Sequence, residues 1–288
     1  KSETDFMELV ENHNLPFVTA RNANDIVASD HRLYVGRPGT YGQRGANFAV
    51  QNSDLYLAIG TRLALAQTGY ASHDYARNAR KVIVDIDQTE LDKKTLSADI
   101  KIQSDAKIFI TELKNQLSGM SLNTSSWIKK CQDWKKRYPA VLSEYQKQKC
   151  PINSYHFIDV LSSILNAADV IVTDMGLSFQ CTHQAFQIKK GQKLFTNSGF
   201  AAMGWGLPAA VGACVANQCN RTVCISGDGG AIRVDGGDPI IELCNSLDEG
   251  KNWRDSKIGN LHIKQTDGTI NKNPMRHWLM NMYETPFD

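Results

Sequence analysis

The stretch Thr222-Val223-Cys224-Ile225-Ser226 runs largely apolar and then stops at Gly227-Asp228-Gly229, and this junction narrows the folds open to the chain more than any other feature. A buried strand ending in Gly-Asp-Gly sets one carboxylate at the carboxyl edge of a parallel sheet, where open α/β sheets bind ligands. The glycines let backbone N–H groups approach a phosphate, and the carboxylate is a hard oxygen ligand suited to Mg²⁺. A turn after a strand yields the same tripeptide with no ligand, so the junction alone is a weak signal. It gains weight from the glycine-rich block upstream, Ser198-Gly199-Phe200-Ala201-Ala202-Met203-Gly204-Trp205-Gly206-Leu207-Pro208.

The rest of the chain alternates strand and helix patterns in the same manner. Strands are expected at 15–19, 55–59, 81–86, 169–173 and 193–196, and helices at 6–10, 45–51, 106–117 with Asp105 as cap, 127–149, a second after Pro151 capped by Asn153, and 207–217. This rhythm predicts an α/β protein of two doubly wound parallel-sheet domains, the second truncated, with an irregular C-terminal tail. The boundaries fall at 1–118, 119–150 (a linker and helix), 151–230 and 231–288. The basic cluster Lys129, Lys130, Lys135, Lys136 and Arg137 shares its helix with Trp127, Cys131, Trp134 and Tyr138, and is expected to be a solvated face opposite a packed one.

Two segments together, Ser198 to Gly212 and Cys224 to Gly230, resemble the diphosphate-binding half of thiamine-diphosphate (ThDP) enzymes of the acetolactate-synthase-like branch. The resemblance implies ThDP and Mg²⁺ as cofactors and a small 2-oxo acid as substrate, in a carboligase or decarboxylase. It places Asp228 on the metal. The backbone around Asp174, Gly176, Gly204, Gly227, Gly229 and Gly230 would lie at the diphosphate, with Met203 bracing the bent cofactor. Ordinary core packing is the other reading of Met203. The first domain resembles the central domain of the same enzymes through Gly36-Arg37-Pro38-Gly39, Ala46-Asn47, Ile59-Gly60-Thr61-Arg62 and Asp85-Ile86-Asp87. In flavin-containing relatives that domain carries FAD, which makes Gly60, Arg62, Asp85 and Asp87 candidate nucleotide-binding positions. Asp85 and Asp87 closing a strand end, and Arg62 forming a structural ion pair, are the alternatives. After Arg62 the chain reads Leu63-Ala64-Leu65-Ala66, where the flavin branch is acidic and Arg-rich. No catalytic side chain is assigned; His156 and His183 are left without a role.

Two departures from the family shape the expectation. No Asn-Asn pair follows Gly-Asp-Gly anywhere in the chain, although the family completes its Mg²⁺ shell with one. Nor does the chain include the pyrimidine-binding domain; it opens on Lys1 without an initiator Met, as a start inside a larger protein would. Both imply that this chain alone is inactive. Residues 234–288 do not resemble the family; they are weakly similar to the region between the cobalamin-binding and radical-SAM parts of cobalamin-dependent radical enzymes, without the cluster cysteines. That pattern suggests a fused or misassembled reading frame joined near Gly230. The alternatives to an enzyme fragment are a non-catalytic nucleotide (FAD)-binding module, or a chain without activity.

A net charge of +2 gives no electrostatic case for nucleic acid or membrane partners. The seven cysteines form no C-x-x-C pair, and with no signal peptide or long apolar run they suggest a reducing cytoplasm. Cys214 and Cys224 lie in apolar runs and are expected to be buried. The family resemblance adds a homo-oligomer for the intact protein.

Overall fold

A computed structural model describes residues 2–148 and 150–227, together with two short strands at 262–264 and 270–272. The fold is α/β, with parallel sheets in two compact units. The first comprises 1–147, 155–164 and 183–191, and the second 148–154, 165–182 and 192–288.

In the first unit, α1 (Ser2–Asn12) leads into β1 (Phe17–Val18), which pairs in parallel with β2 (Tyr34–Gly36). The helix α2 (Arg44–Asn52) precedes β3 (Leu55–Ile59), followed by the single turn α3 (Leu65–Thr68), β4 (Arg80–Asp85), α4 (Gln88–Asp92), β5 (Ile100–Gln103) and α5 (Ala106–Gln116). β3, β4 and β5 form a parallel sheet in that order, Ala58 facing Ile83 and Val84 facing Ile102. Val50, Tyr56, Ala58, Leu63, Tyr75, Ile83, Leu91 and Leu96 close a core over this sheet. Inside it the Tyr56 and Tyr75 hydroxyls share a 3.0 Å hydrogen bond, so neither is buried unpaired. Asp105 caps α5 by accepting from Lys107 N (2.8 Å) and Ile108 N (3.2 Å). Asp105→Ala should therefore cost about 1 kcal/mol in a urea titration, with no change in m-value.

The helix expected over 127–149 is two helices, α6 (Ser125–Arg137) and α7 (Ser143–Lys147). The break follows Tyr138, because Pro139 disfavours helical geometry in the residue before it and has no N–H to donate. Trp127, Cys131 and Trp134 pack inward as expected. Lys135 departs from the solvated face: it donates to Ser29 O (2.8 Å) and Tyr34 O (3.1 Å), and burial, with Arg37 nearby, lowers its pKa. Gly45 of α2 lets the backbone of α6 come close, since a Cβ there would sit 3.0 Å from Lys135 N. α8 (Ser154–Ile164) carries Ile158 and Leu161 as its buried residues.

In the second unit, β6 (Val170–Thr173) is buried along its whole length and lies between β7 (Lys193–Thr196) and β8 (Thr222–Ile225), all parallel. Between these strands run α9 (Leu177–Ala185), whose last three residues belong to the first unit, and α10 (Gly206–Ala216). Val170, Val172 and Ala210 form the core, with Trp205, Ala209, Ala213 and Cys224 packed on it. Cys214 and Cys224 are half-buried rather than buried, because Cys214 sits at a helix end and β8 is an outer strand of the three. The tail expected to be irregular contains β9 (His262–Lys264) and β10 (Ile270–Lys272), paired antiparallel. The other readings of 231–288 lie outside the described residues. Among the described residues no helix is long and apolar enough to cross a membrane.

Candidate functional site

The strand order β7-β6-β8 reverses at β6: the chain passes from β6 through α9 to β7 on one side, then from β7 through α10 to β8 on the other. Such a switch point opens a crevice at the carboxyl ends of the two strands that diverge there, here β6 and β8. Asp174 stands at the first of those ends and Ser226-Gly227 at the second. Asp228, Gly229 and Gly230, the metal and phosphate positions expected next, lie outside the described residues.

Asp174 is 1% exposed, and its carboxylate is a hub. It accepts from Gly204 N (2.9 Å to Oδ2), Met175 N (2.7 Å to Oδ1) and the Ser226 hydroxyl (3.1 Å). Its own backbone N–H donates to Ile225 O at 2.8 Å, extending the β6–β8 ladder by one residue. One side chain thus ties the end of β6 to the end of β8 and to the loop before α10. The Asp174 and Gly204 amides are both engaged within the unit, Asp174 N with Ile225 O and Gly204 N with the Asp174 carboxylate. The reason is burial: a carboxylate this deep has to collect N–H and O–H partners, and the Gly204 loop supplies one.

Gly206 completes the arrangement. A Cβ there would lie 2.8 Å from Asp174 Cβ and 2.9 Å from Asp174 N, so only glycine lets α10 start against the end of β6. Gly206→Ala should cost about 2 kcal/mol, read as a lowered urea midpoint, because the clash is with backbone that has nowhere to move.

Gly176 and Met203 sit differently. Gly176 has φ +81° and nothing within 4 Å of its Cβ direction, and it immediately precedes α9. Open space at a helix N-terminus, beside a φ that favours glycine, is a geometry suited to an anion. Met203 is 49% exposed, which removes the core-packing alternative. Phe200 at 93% and Leu177 at 65% are exposed on the same unit. Gly227 ends the described part of the crevice. Among the described residues no group of three or more His, Cys, Asp or Glu is placed to hold a metal.

In the first unit the candidate nucleotide positions are occupied locally. Asp87 caps α4, accepting from Thr89 N (2.8 Å) and Thr89 Oγ1 (2.6 Å), which holds its carboxyl below the usual range. Asp85 accepts from Asp87 N (3.0 Å), and Arg62 pairs with Glu90 (2.6 Å). Gly60 turns the chain at φ +58° after β3. Two clefts of about 260 and 270 Å³ lie in this unit, and none of these four residues lines either. The strand-end and ion-pair alternatives are therefore the ones this geometry favours.

Sequence reasoning gave Arg37 only a place in the resemblance and His183 no role. Arg37 is 1% exposed and donates to His183 O (2.7 Å), Phe186 O (2.9 Å) and Ser29 Oγ (3.4 Å). Its partners lie up to 149 residues away, so no local spacing announces it. His183 is buried beside it; burial first, then the Arg37 and Arg21 charges, push its pKa from 6.5 to about 3. The unfolded chain then binds more protons than the folded one between those values. Stability should be whole above pH 6.5 and fall as the pH drops toward 3, with a slope of at most about 1.4 kcal/mol per pH unit. A urea-unfolding series across that window checks this, with His183→Gln expected to flatten the slope.

Comparison with known proteins adds two family matches. Residues 1–113 match the family described as thiamine pyrophosphate enzyme, central domain. Residues 174–238 match thiamine pyrophosphate enzyme, C-terminal TPP binding domain, a match that starts at Asp174 and runs past Gly230. An acetolactate synthase large subunit of Cyanidium caldarium is 33% identical over 233 residues, covering 79% of this chain and 39% of its own length. A probable acetolactate synthase large subunit of Methanococcus aeolicus is 29% identical over 241 residues, covering 78% and 39%. The acetolactate synthase isozyme 1 large subunit of Escherichia coli (strain K12) is 29% identical over 222 residues, covering 77% and 38%. The chain thus spans about two-fifths of the length of the curated relatives it matches.

Proposed function

The chain belongs to the thiamine-diphosphate-dependent enzymes, in their acetolactate-synthase-like branch, and from that premise we propose that its second unit is the diphosphate- and Mg²⁺-binding half of a carboligase or decarboxylase of 2-oxo acids. The observation that carries this reading is the crevice at the β6–β8 switch point, with Asp174 fixing the Gly204 loop against both strand ends. The open N-terminus of α9 at Gly176 and the exposed Met203 fit a bulky anionic cofactor there. ThDP, when bound, supplies the electron sink for bond cleavage next to a carbonyl.

This chain's residues have distinct tasks. Asp228 holds Mg²⁺ as a hard oxygen ligand, and Gly227, Gly229 and Gly230 let the backbone come close to the diphosphate. Gly176 offers the α9 N-terminus to the same group. Met203 lies against the cofactor and fixes its shape. Asp174 is a positioning residue: it touches no ligand but sets the loop that carries Met203. With no Asn-Asn pair in the sequence, Mg²⁺ retention rests on Asp228, phosphate oxygens and water, so ThDP binding should depend steeply on Mg²⁺ concentration. The intact protein is read as a cytoplasmic homo-oligomer, the exposed Phe200 and Leu177 being apolar surface for a partner to cover.

Because Met203 is exposed, Met203→Ala should leave urea stability within about 0.5 kcal/mol while weakening ThDP affinity roughly tenfold, measured by a ThDP-dependent thermal shift. A loss of stability with unchanged ThDP response would return Met203 to a packing role. The purified chain is expected to form no acetolactate from pyruvate; measurable product would contradict that.

A further inference from the structure

The end of α10 carries two thiols in a geometry that the diphosphate site does not use. Gln218 N donates to Val215 O (3.1 Å) and Cys219 N donates to Cys214 O (2.8 Å). Those are the two backbone bonds of a Schellman turn, with Gln218 in the left-handed region at φ 54°. In that motif the residue three positions before the helix cap and the second residue beyond it meet side by side, usually as an apolar contact. Here those two residues are Cys214 and Cys219. The Cys214 thiol reaches toward Asn220 O, 3.9 Å away, which turns it to the side of the turn where Cys219 lies. Cys219 is exposed and Cys214 half-buried. Burial and the neighbouring Cys219 raise the pKa of Cys214.

We propose that Cys214 and Cys219 form a reversible intramolecular disulfide that staples the α10–β8 turn, made by exchange with a low-molecular-weight disulfide. The exposed Cys219 thiolate attacks one sulfur of the oxidant, forming a mixed disulfide and releasing one thiol. Cys214 then loses its proton and attacks the Cys219 sulfur, forming the Cys214–Cys219 bond and releasing the second thiol. The balance is two protein thiols and one small disulfide giving one protein disulfide and two small thiols. The backbone bond between Cys219 N and Cys214 O holds the two residues together before the reaction, so the folded turn raises the effective concentration of the second thiol. Among the described residues, Cys131 and Cys181 are buried, and burial pushes each thiol up to about 11. They are poor competitors for the same oxidant.

The sequence offers a direct readout. Trypsin cuts after Lys193 and Arg221, and the peptide between contains Cys214 and Cys219 as its only cysteines. The full 288-residue chain would be equilibrated with oxidised and reduced glutathione, quenched in acid, alkylated and digested. The expected result is a peptide that has lost two hydrogens and carries no alkyl group. Half-conversion should need an oxidised-to-reduced ratio about tenfold lower in the native chain than in urea. In Cys214→Ser, Cys219 should instead accumulate as the glutathione mixed disulfide. Three results would overturn the proposal: both cysteines alkylated at every ratio, a persistent mixed disulfide at Cys219 in the unaltered chain, or equal oxidation in native and urea-unfolded protein.

Discussion

Asp174→Ala is expected to lower the stability of the second unit by about 3 kcal/mol, the largest single loss at the candidate site. The substitution removes the acceptor for Gly204 N, Met175 N and the Ser226 hydroxyl in one step, and leaves those donors beside a cavity where Asp174 is 1% exposed. A urea titration should show the midpoint falling by about 1–3 M at an m-value of about 1–3 kcal/mol/M. Ser226→Ala removes one partner and leaves the other bonds, so it should cost only about 1 kcal/mol. Equal losses for the two variants would mean that the carboxylate is not the hub. The consequence for binding follows from the same geometry. Without Asp174 the Gly204 loop loses its hydrogen bond to the end of β6, and Met203 loses part of what fixes its position.

The second large effect is expected at Arg37. Its guanidinium joins Ser29 to the carbonyls of His183 and Phe186, three partners that a single lysine ammonium cannot meet in the same plane. Arg37→Met should cost about 3 kcal/mol, and Arg37→Lys should recover less than half of it. A further readout separates this from a general packing defect. The Arg37 charge is one cause of the depressed His183 pKa, second to burial. Removing it should let that pKa rise, which narrows the pH window below 6.5 over which stability is lost and makes the total loss smaller. A methionine variant that loses as much stability between pH 6.5 and 3 would show that Arg37 does not act on His183 through its charge.

Most of the sheet was readable in the sequence because its strands are short apolar runs closed by Gly or Asp: β3 at Gly60, β4 at Asp85, β6 at Asp174 and β8 at Gly227. β5 and α9 gave no such signal. β5 alternates half-buried and exposed residues at the edge of its sheet. α9 buries Ser178, Thr182 and His183 along with Phe179 and Cys181, so no apolar stripe marks a single inner face. Residues at the candidate site were legible as a motif but not in their tasks. Asp174 and Gly204 both stood out, yet the bond between them spans 30 residues, a distance that no local spacing announces. Asp87 and Arg62 drew attention by resemblance; the partner of Asp87, Thr89, is a neighbour that any helix start could supply, while that of Arg62, Glu90, lies 28 residues on. Pro139, the clearest breaker in the helical run over 127–149, was the local cue passed over.

The central claim is that this chain keeps a working diphosphate half-site. Its most direct test is isothermal titration of ThDP, with Mg²⁺ present and absent, into the purified chain and into Asp228→Ala. Saturable binding that requires Mg²⁺ and disappears in Asp228→Ala is the predicted result. Absence of binding to the unaltered chain, or binding that survives both Mg²⁺ removal and the substitution, would contradict it.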